Sequence, residues 1–98
     1  MQKSSICNYL DEKGIARSHD GYNYLIHIIE YGIQHPDIDM EDYYKEAAKE
    51  YNVPKTRIQN CISYSIKKAR ETSKSFSREL KPKAFVRTAI GSLSIYKE

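Results

Sequence analysis

A corner in the middle of the chain limits its folding more than any other feature. Residues 44–68 read YKEAAKEYNVPKTRIQNCISYSIKK, two amphipathic stretches separated by Asn-Val-Pro. Asn52 is one of the few non-glycine types that tolerates the left-handed backbone needed to stop a helix abruptly, and Pro54 is pre-set for the first turn of the next. Ala47 and Ala48 leave room in the first stretch for a second helix to cross closely. In the second stretch Ile58, Cys61, Ile62, Ser65, Ile66 and Ala69 recur at three- and four-residue spacing and predict an inward stripe. The opposite face offers Thr56, Gln59, Asn60, Ser63, Lys67 and Arg70, with Lys55 and Arg57 near the start and no carboxylate before Glu71. Two helices and a tight corner, a helix-turn-helix over about 40–70, are expected, with a second helix over about 54–70 whose outer face suits a nucleic-acid groove.

The rest of the chain predicts three further helices. Ser4 or Ser5 is placed to cap a short first helix in which Ile6 and Leu10 share a face with Tyr9 beside them, and Gly14 ends it. After a connector over 15–20, in which Ser18 or Asp20 is the expected cap, residues 21–34 carry Tyr22, Leu25, Ile28, Ile29, Gly32 and Ile33 on one face. Tyr24, Ile26 and Tyr31 widen that apolar surface, and a helix apolar over most of its circumference belongs at the centre of a fold. His35, Pro36 and Asp37 interrupt it. Asp39 is the expected cap of the next helix, with Asp42 completing an acidic capping box. Residues 72–83 read as a polar, basic loop clamped by Phe76 and Leu80, and Pro82 opens a last helix over about 83–95 with Phe85, Val86, Ala89, Ile90 and Leu93 on one stripe. Five helices and no convincing strand predict an all-α bundle, one domain over 1–98.

Charge is distributed unevenly. The net +3 divides into −5 over residues 1–52, where five Lys and Arg face ten carboxylates, and +8 over residues 53–98, where eleven face three. Such a split suits a second half that meets a polyanion; a solvated basic surface without a ligand is the plain alternative. Cys7 and Cys61 lack the spacing of a zinc or redox pair. With no apolar run long enough for a membrane and no signal-peptide core, the expectation is a cytoplasmic protein without membrane contact. His19, His27 and His35 stand eight residues apart, too far for one metal, and no nucleophile, paired carboxylates or phosphate loop suggests catalysis. Neither an enzyme nor a cofactor is expected. Of the tyrosines, Tyr22, Tyr44 and Tyr51 fall at packing positions and Tyr64 on the shoulder of the second motif helix, where it can reach a base or sugar.

Beyond the generic motif, GIARSHDGYNYL at 14–25, YKEAAKEYNVPKTRIQNCISYSI at 44–66, and Lys81, Pro82, Phe85, Val86, Ile90 and Leu93 together resemble, in the same order, the C-terminal DNA-binding effector domain of the bacterial sporulation initiation factor family of response regulators. The resemblance implies transcription regulation through sequence-specific duplex DNA binding. It places Thr56 and Arg57 where the family has a Ser-Arg pair at the start of its recognition helix. Gln59 stands where the family has Glu, and Asn60, Ser63 and Tyr64 where it has Arg, Arg and His. A Phe-Gly-Tyr-Thr element before the last helix is absent, and with it the family's partner contacts. Family members carry a receiver domain before the effector; with Met1 a few residues before the first helix, a free-standing protein is the reading and an excised fragment its alternative.

The sequence therefore assigns base reading to Thr56, Arg57, Gln59, Asn60, Ser63 and Tyr64, and phosphate contact to Lys55, Lys67, Lys68 and Arg70. The expected partner is duplex DNA, with a homodimer on repeated sites. The alternative is an interaction module that keeps the fold and binds RNA polymerase or another regulator.

Overall fold

A computed structural model describes residues 2–72 and 81–94. Five α-helices follow one another, with no strand among the described residues: α1 (Gln2–Glu12), α2 (Asp20–Gln34), α3 (Met40–Tyr51), α4 (Lys55–Thr72) and α5 (Pro82–Ser94). The fold is an all-α bundle, as the periodicities predict. Phe76 and Leu80, the expected clamps, lie outside the described residues.

α2 is the central element. It packs against each of the other four helices, because Tyr22, Tyr24, Leu25, Ile26, Ile28, Ile29 and Ile33 are buried around most of its circumference. Two of its glycines are contact points. A Cβ on Gly21 would strike Ser65 Oγ and lie 2.5 Å from the Cys61 carbonyl oxygen of α4; one on Gly32 would collide with the Ile90 side chain of α5. α2 thus meets α4 near its N-terminus and α5 near its C-terminus. α5 contributes the expected stripe of Phe85, Val86, Ala89, Ile90 and Leu93, all buried, and Tyr9 of α1 sets its ring 6.2 Å from that of Phe85.

Helix ends follow the sequence where the backbone must turn left-handed. Gly14 has φ 83°, the Ile15 amide donates to Leu10 O at 3.0 Å and the Gly14 amide to Asp11 O at 3.1 Å. This pair of bonds is a Schellman closure, and its usual apolar contact accounts for the burial of Ile15 in what the sequence marks only as a connector. Asn52 repeats the device with φ 56° and ψ 49°.

The N-terminal caps differ from expectation. α1 begins at Gln2, so Ser4 and Ser5 lie inside it and cap nothing. His19 occupies the N-cap of α2, in place of Ser18 or Asp20, and its side chain makes no capping bond; Asp20 lies in the first turn. Asp39 does hold the N-cap of α3, yet no capping bond forms from its side chain, so the capping box with Asp42 is not built. Pro54 stands one residue earlier than the first helical position, its carbonyl receiving the Arg57 and Ile58 amides at 3.0 and 3.4 Å.

Candidate nucleic-acid interface

α4 rests on α3 through a three-residue turn. Its geometry is fixed by Asn52, whose left-handed backbone lets the Val53 amide return to Ala48 O at 3.0 Å and its own amide to Lys49 O at 3.4 Å. Ala47 is fully buried and Ala48 half-buried, so α3 and α4 approach closely. The inward stripe of α4 is as expected: Ile58, Ile62, Ser65, Ile66 and Ala69 are buried, and Cys61 is half-buried. Ser65 is the one buried polar side chain among the described residues, with its hydroxyl 3.4 Å from His19 Nδ1.

The assigned residues gather on the other face. Thr56, Asn60, Ser63, Tyr64, Lys67 and Lys68 are exposed, and Lys55, Gln59 and Arg70 half-buried. Tyr64, half exposed at 51%, leans on the His19 ring at 5.1 Å with Lys68 Nζ 5.6 Å from its own ring. Two grooves flank this face. One, of about 270 Å³, lies between α4 and the start of α2 and is lined by His19, Asp20, Gly21, Asn60, Cys61 and Tyr64. The other, of about 280 Å³, lies toward the start of α5 and is lined by Tyr44, Gln59, Ser63, Lys81, Pro82 and Lys83.

Cations at the start of α4 have partners that the sequence does not announce. Arg57 turns back onto α2, with Nη2 2.7 Å from Asp20 Oδ2 and Nε donating to the Tyr24 hydroxyl at 3.3 Å. The hydrogen bond to the Tyr24 hydroxyl, with the Asp20 carboxylate beside it, strengthens its hold on the proton. Lys55 Nζ lies 2.6 Å from Glu41 Oε1, and Lys83 Nζ of α5 lies 3.4 Å from Glu41 Oε2. Glu41 is held below the ordinary carboxylate range, first by the Lys55 hydrogen bond and also by Lys83. Further along, Lys68 pairs loosely with Glu71 at 3.7 Å. Arg57 and Lys55 are thus part of the candidate surface and already engaged within the chain. Lys81 and Lys83 join that surface although sequence reading left them out. Their signal was two lysines around Pro82, which reads as a helix start rather than as the neighbour of a residue some twenty positions away.

The remaining tempting groups are spread out. His27 sits between aromatic rings, 5.9 Å from Tyr51 and 6.5 Å from Tyr31, and its buried Nε2 has no hydrogen-bond partner among the described residues. His35 stacks against Tyr31 at 4.4 Å. Tyr22 and Tyr44 are buried, but Tyr51 corrects the packing expectation: it is 41% exposed, lying edge-on to Tyr24 at 4.9 Å at the end of α3. No group of three His, Cys, Asp or Glu among the described residues is arranged to hold a metal, and no described helix is long and apolar enough to cross a membrane.

What these elements define is a five-helix bundle with one carboxylate-poor helix face bordered by two open grooves. No family model, curated protein or solved structure matches the chain.

Proposed function

We propose that the protein binds duplex DNA as a transcription regulator, with α4 in the major groove, in the manner of the sporulation effector domains its sequence resembles. The observation that carries this reading is the outer face of α4. Over residues 55–70 it offers hydrogen-bonding and cationic groups and the Tyr64 ring with no carboxylate among them, and grooves lie on both sides. At about 1.5 Å per residue the helix is on the order of 27 Å long, and the major groove admits such an element. In this reading Thr56, Asn60 and Ser63, exposed on that face, meet base edges, with Gln59 and Tyr64 at the shoulders. Lys67, Lys68 and Arg70 continue the face toward phosphates, and Lys81, just before α5, and Lys83, in its first turn, border it.

A second reading is favoured by one observation. Arg57 and Lys55, the cations a DNA site would first require, are engaged by Asp20 and Glu41. A module that binds RNA polymerase or another regulator would leave those pairs intact. Mobility shift with random duplex pools at two salt concentrations separates the two. Neutralising about five phosphates gives a log–log slope of about −4 to −5, and Arg57→Ala, which leaves the inward stripe untouched, should weaken binding to a selected site about tenfold. Flat affinity between low and physiological salt would remove DNA from the function and leave the interaction module.

A further inference from the structure

The two carboxylates that cross from the acidic half of the chain to the start of α4 do more than tidy the surface charge. Asp20 belongs to the first turn of α2 and Glu41 to the first turn of α3, 37 and 14 residues from the cations they hold. Asp20 engages Arg57, while Glu41 stands between Lys55 and Lys83, which come from two different helices. Three of the cations nearest the leading end of α4 therefore already have an anionic partner. Lys67 and Arg87, exposed on α4 and α5, pair with no carboxylate among the described residues.

We infer that Asp20 and Glu41 mask the DNA site, standing in for phosphate so that Arg57, Lys55 and Lys83 are released only to a polyanion that outcompetes them. This rests on the DNA-binding reading above. The physical basis is competition between carboxylate and phosphate for the same cations. Non-specific binding draws on counterion release alone, and a cation already neutralised within the protein contributes little to it. A matched site offers Arg57 a bidentate acceptor or a well-placed phosphate, and charge-assisted contacts of that geometry are strong enough to displace a solvent-exposed pair. Each pair must be broken before its cation can meet DNA, so each carboxylate lowers total affinity and the number of phosphate contacts made with arbitrary sequence.

The test compares Asp20→Asn and Glu41→Gln with the wild type, and with Glu50→Gln, which removes an equal charge from the exposed end of α3. Binding is measured to a mixed-sequence duplex and to the duplex selected by the wild type, each over roughly 50 to 200 mM salt. On mixed sequence, Asp20→Asn should steepen the slope by about 1, for Arg57 alone, and Glu41→Gln by up to about 2, for Lys55 and Lys83, at about 0.9 per added phosphate contact. Affinity for mixed sequence should rise several-fold, with Glu50→Gln matching the wild type. Equal slopes in all four proteins overturn the inference, as does an equal steepening in Glu50→Gln, which would mean that net charge and not placement is responsible. If the wild type binds no duplex while Asp20→Asn or Glu41→Gln does, the masking role stands and the wild-type function must be reconsidered. If none of the four binds, the inference and the DNA reading fall together.

Discussion

The same substitution made at two glycines should have opposite signs. Gly21 lies where α2 crosses α4, and an alanine Cβ there would sit 2.5 Å from the Cys61 carbonyl oxygen and press on Ser65 Oγ. Contact between carbon and a backbone oxygen needs more than 3 Å, so one helix must shift by roughly half an ångström or more. Ser65 can rotate, but the carbonyl belongs to the α4 backbone and cannot. Overpacking of this kind costs about 1–3 kcal/mol, and the helix-propensity gain of alanine over glycine returns about 0.8–1. The net for Gly21→Ala is a loss of up to about 2 kcal/mol, or about 8–16 °C in Tm at 4–8 °C per kcal/mol in a domain of this size. Gly91 lies in the last turns of α5 with nothing within 4 Å of the added carbon. There only the propensity term acts, and Gly91→Ala should raise Tm by a few degrees. Thermal melts followed by circular dichroism, with urea titration to obtain free energies, read both. Should Gly21→Ala stabilise as much as Gly91→Ala, the close crossing of α2 and α4 is wrong, and with it the placement of the α4 face.

Ile62→Ala, at a fully buried position of α4, should cost about 2–5 kcal/mol by urea unfolding; a loss under 1 kcal/mol would mean that the inward face is misassigned. Asn60→Arg should shift selection from a random pool toward guanine at one position by about 1–3 kcal/mol, and an unchanged consensus would show that residue 60 reads no base. Glu41 and Asp11 are both held below the ordinary carboxylate range, by hydrogen bonds to Lys55 and to Arg17 respectively. Since the folded values are depressed, their contribution is fully present above the unfolded carboxylate range and is lost as pH falls through the folded values. The urea midpoint should drop on acidification and drop less in Glu41→Gln; identical pH profiles would remove Glu41 as a source of acid sensitivity.

The helices were legible because their cores obey a single period. Ile58, Ile62 and Ile66 mark the buried side of α4 as plainly as Phe85, Val86, Ala89 and Ile90 mark that of α5, and Gly14 and Asn52 announce the left-handed backbone at two helix ends. The N-terminal caps were not legible. Around α2, Ser18, His19 and Asp20 are adjacent, and His19 is the one held by a turn, its amide donating to Ala16 O at 3.2 Å and its carbonyl receiving the Tyr22 amide at 3.0 Å. The partners of Arg57 were hidden for a related reason. Asp20 is a first-turn acid, a role complete in itself, and its approach to Arg57 exists only once α2 and α4 cross at Gly21. Tyr51 shows the limit of composition: at the end of α3 its ring meets Tyr24 and His27 on one side and solvent on the other.

The contact of α2 with every other helix bears on the order in which the molecule loosens. Any one outer helix can open while α2 keeps three neighbours, but α2 cannot open without baring the faces of all four. The amides of Leu25, Ile28 and Ile29 should therefore exchange with solvent only through global unfolding, while the ends of α1 and α5 exchange through smaller openings. α4 meets this last-to-open segment at Gly21 and Asp20, so the leading end of its outer face is held by the least mobile part of the chain. A surface anchored in that way pays little ordering entropy when a rigid ligand arrives, and the exchange rates of α4 amides should be lowest beside that crossing.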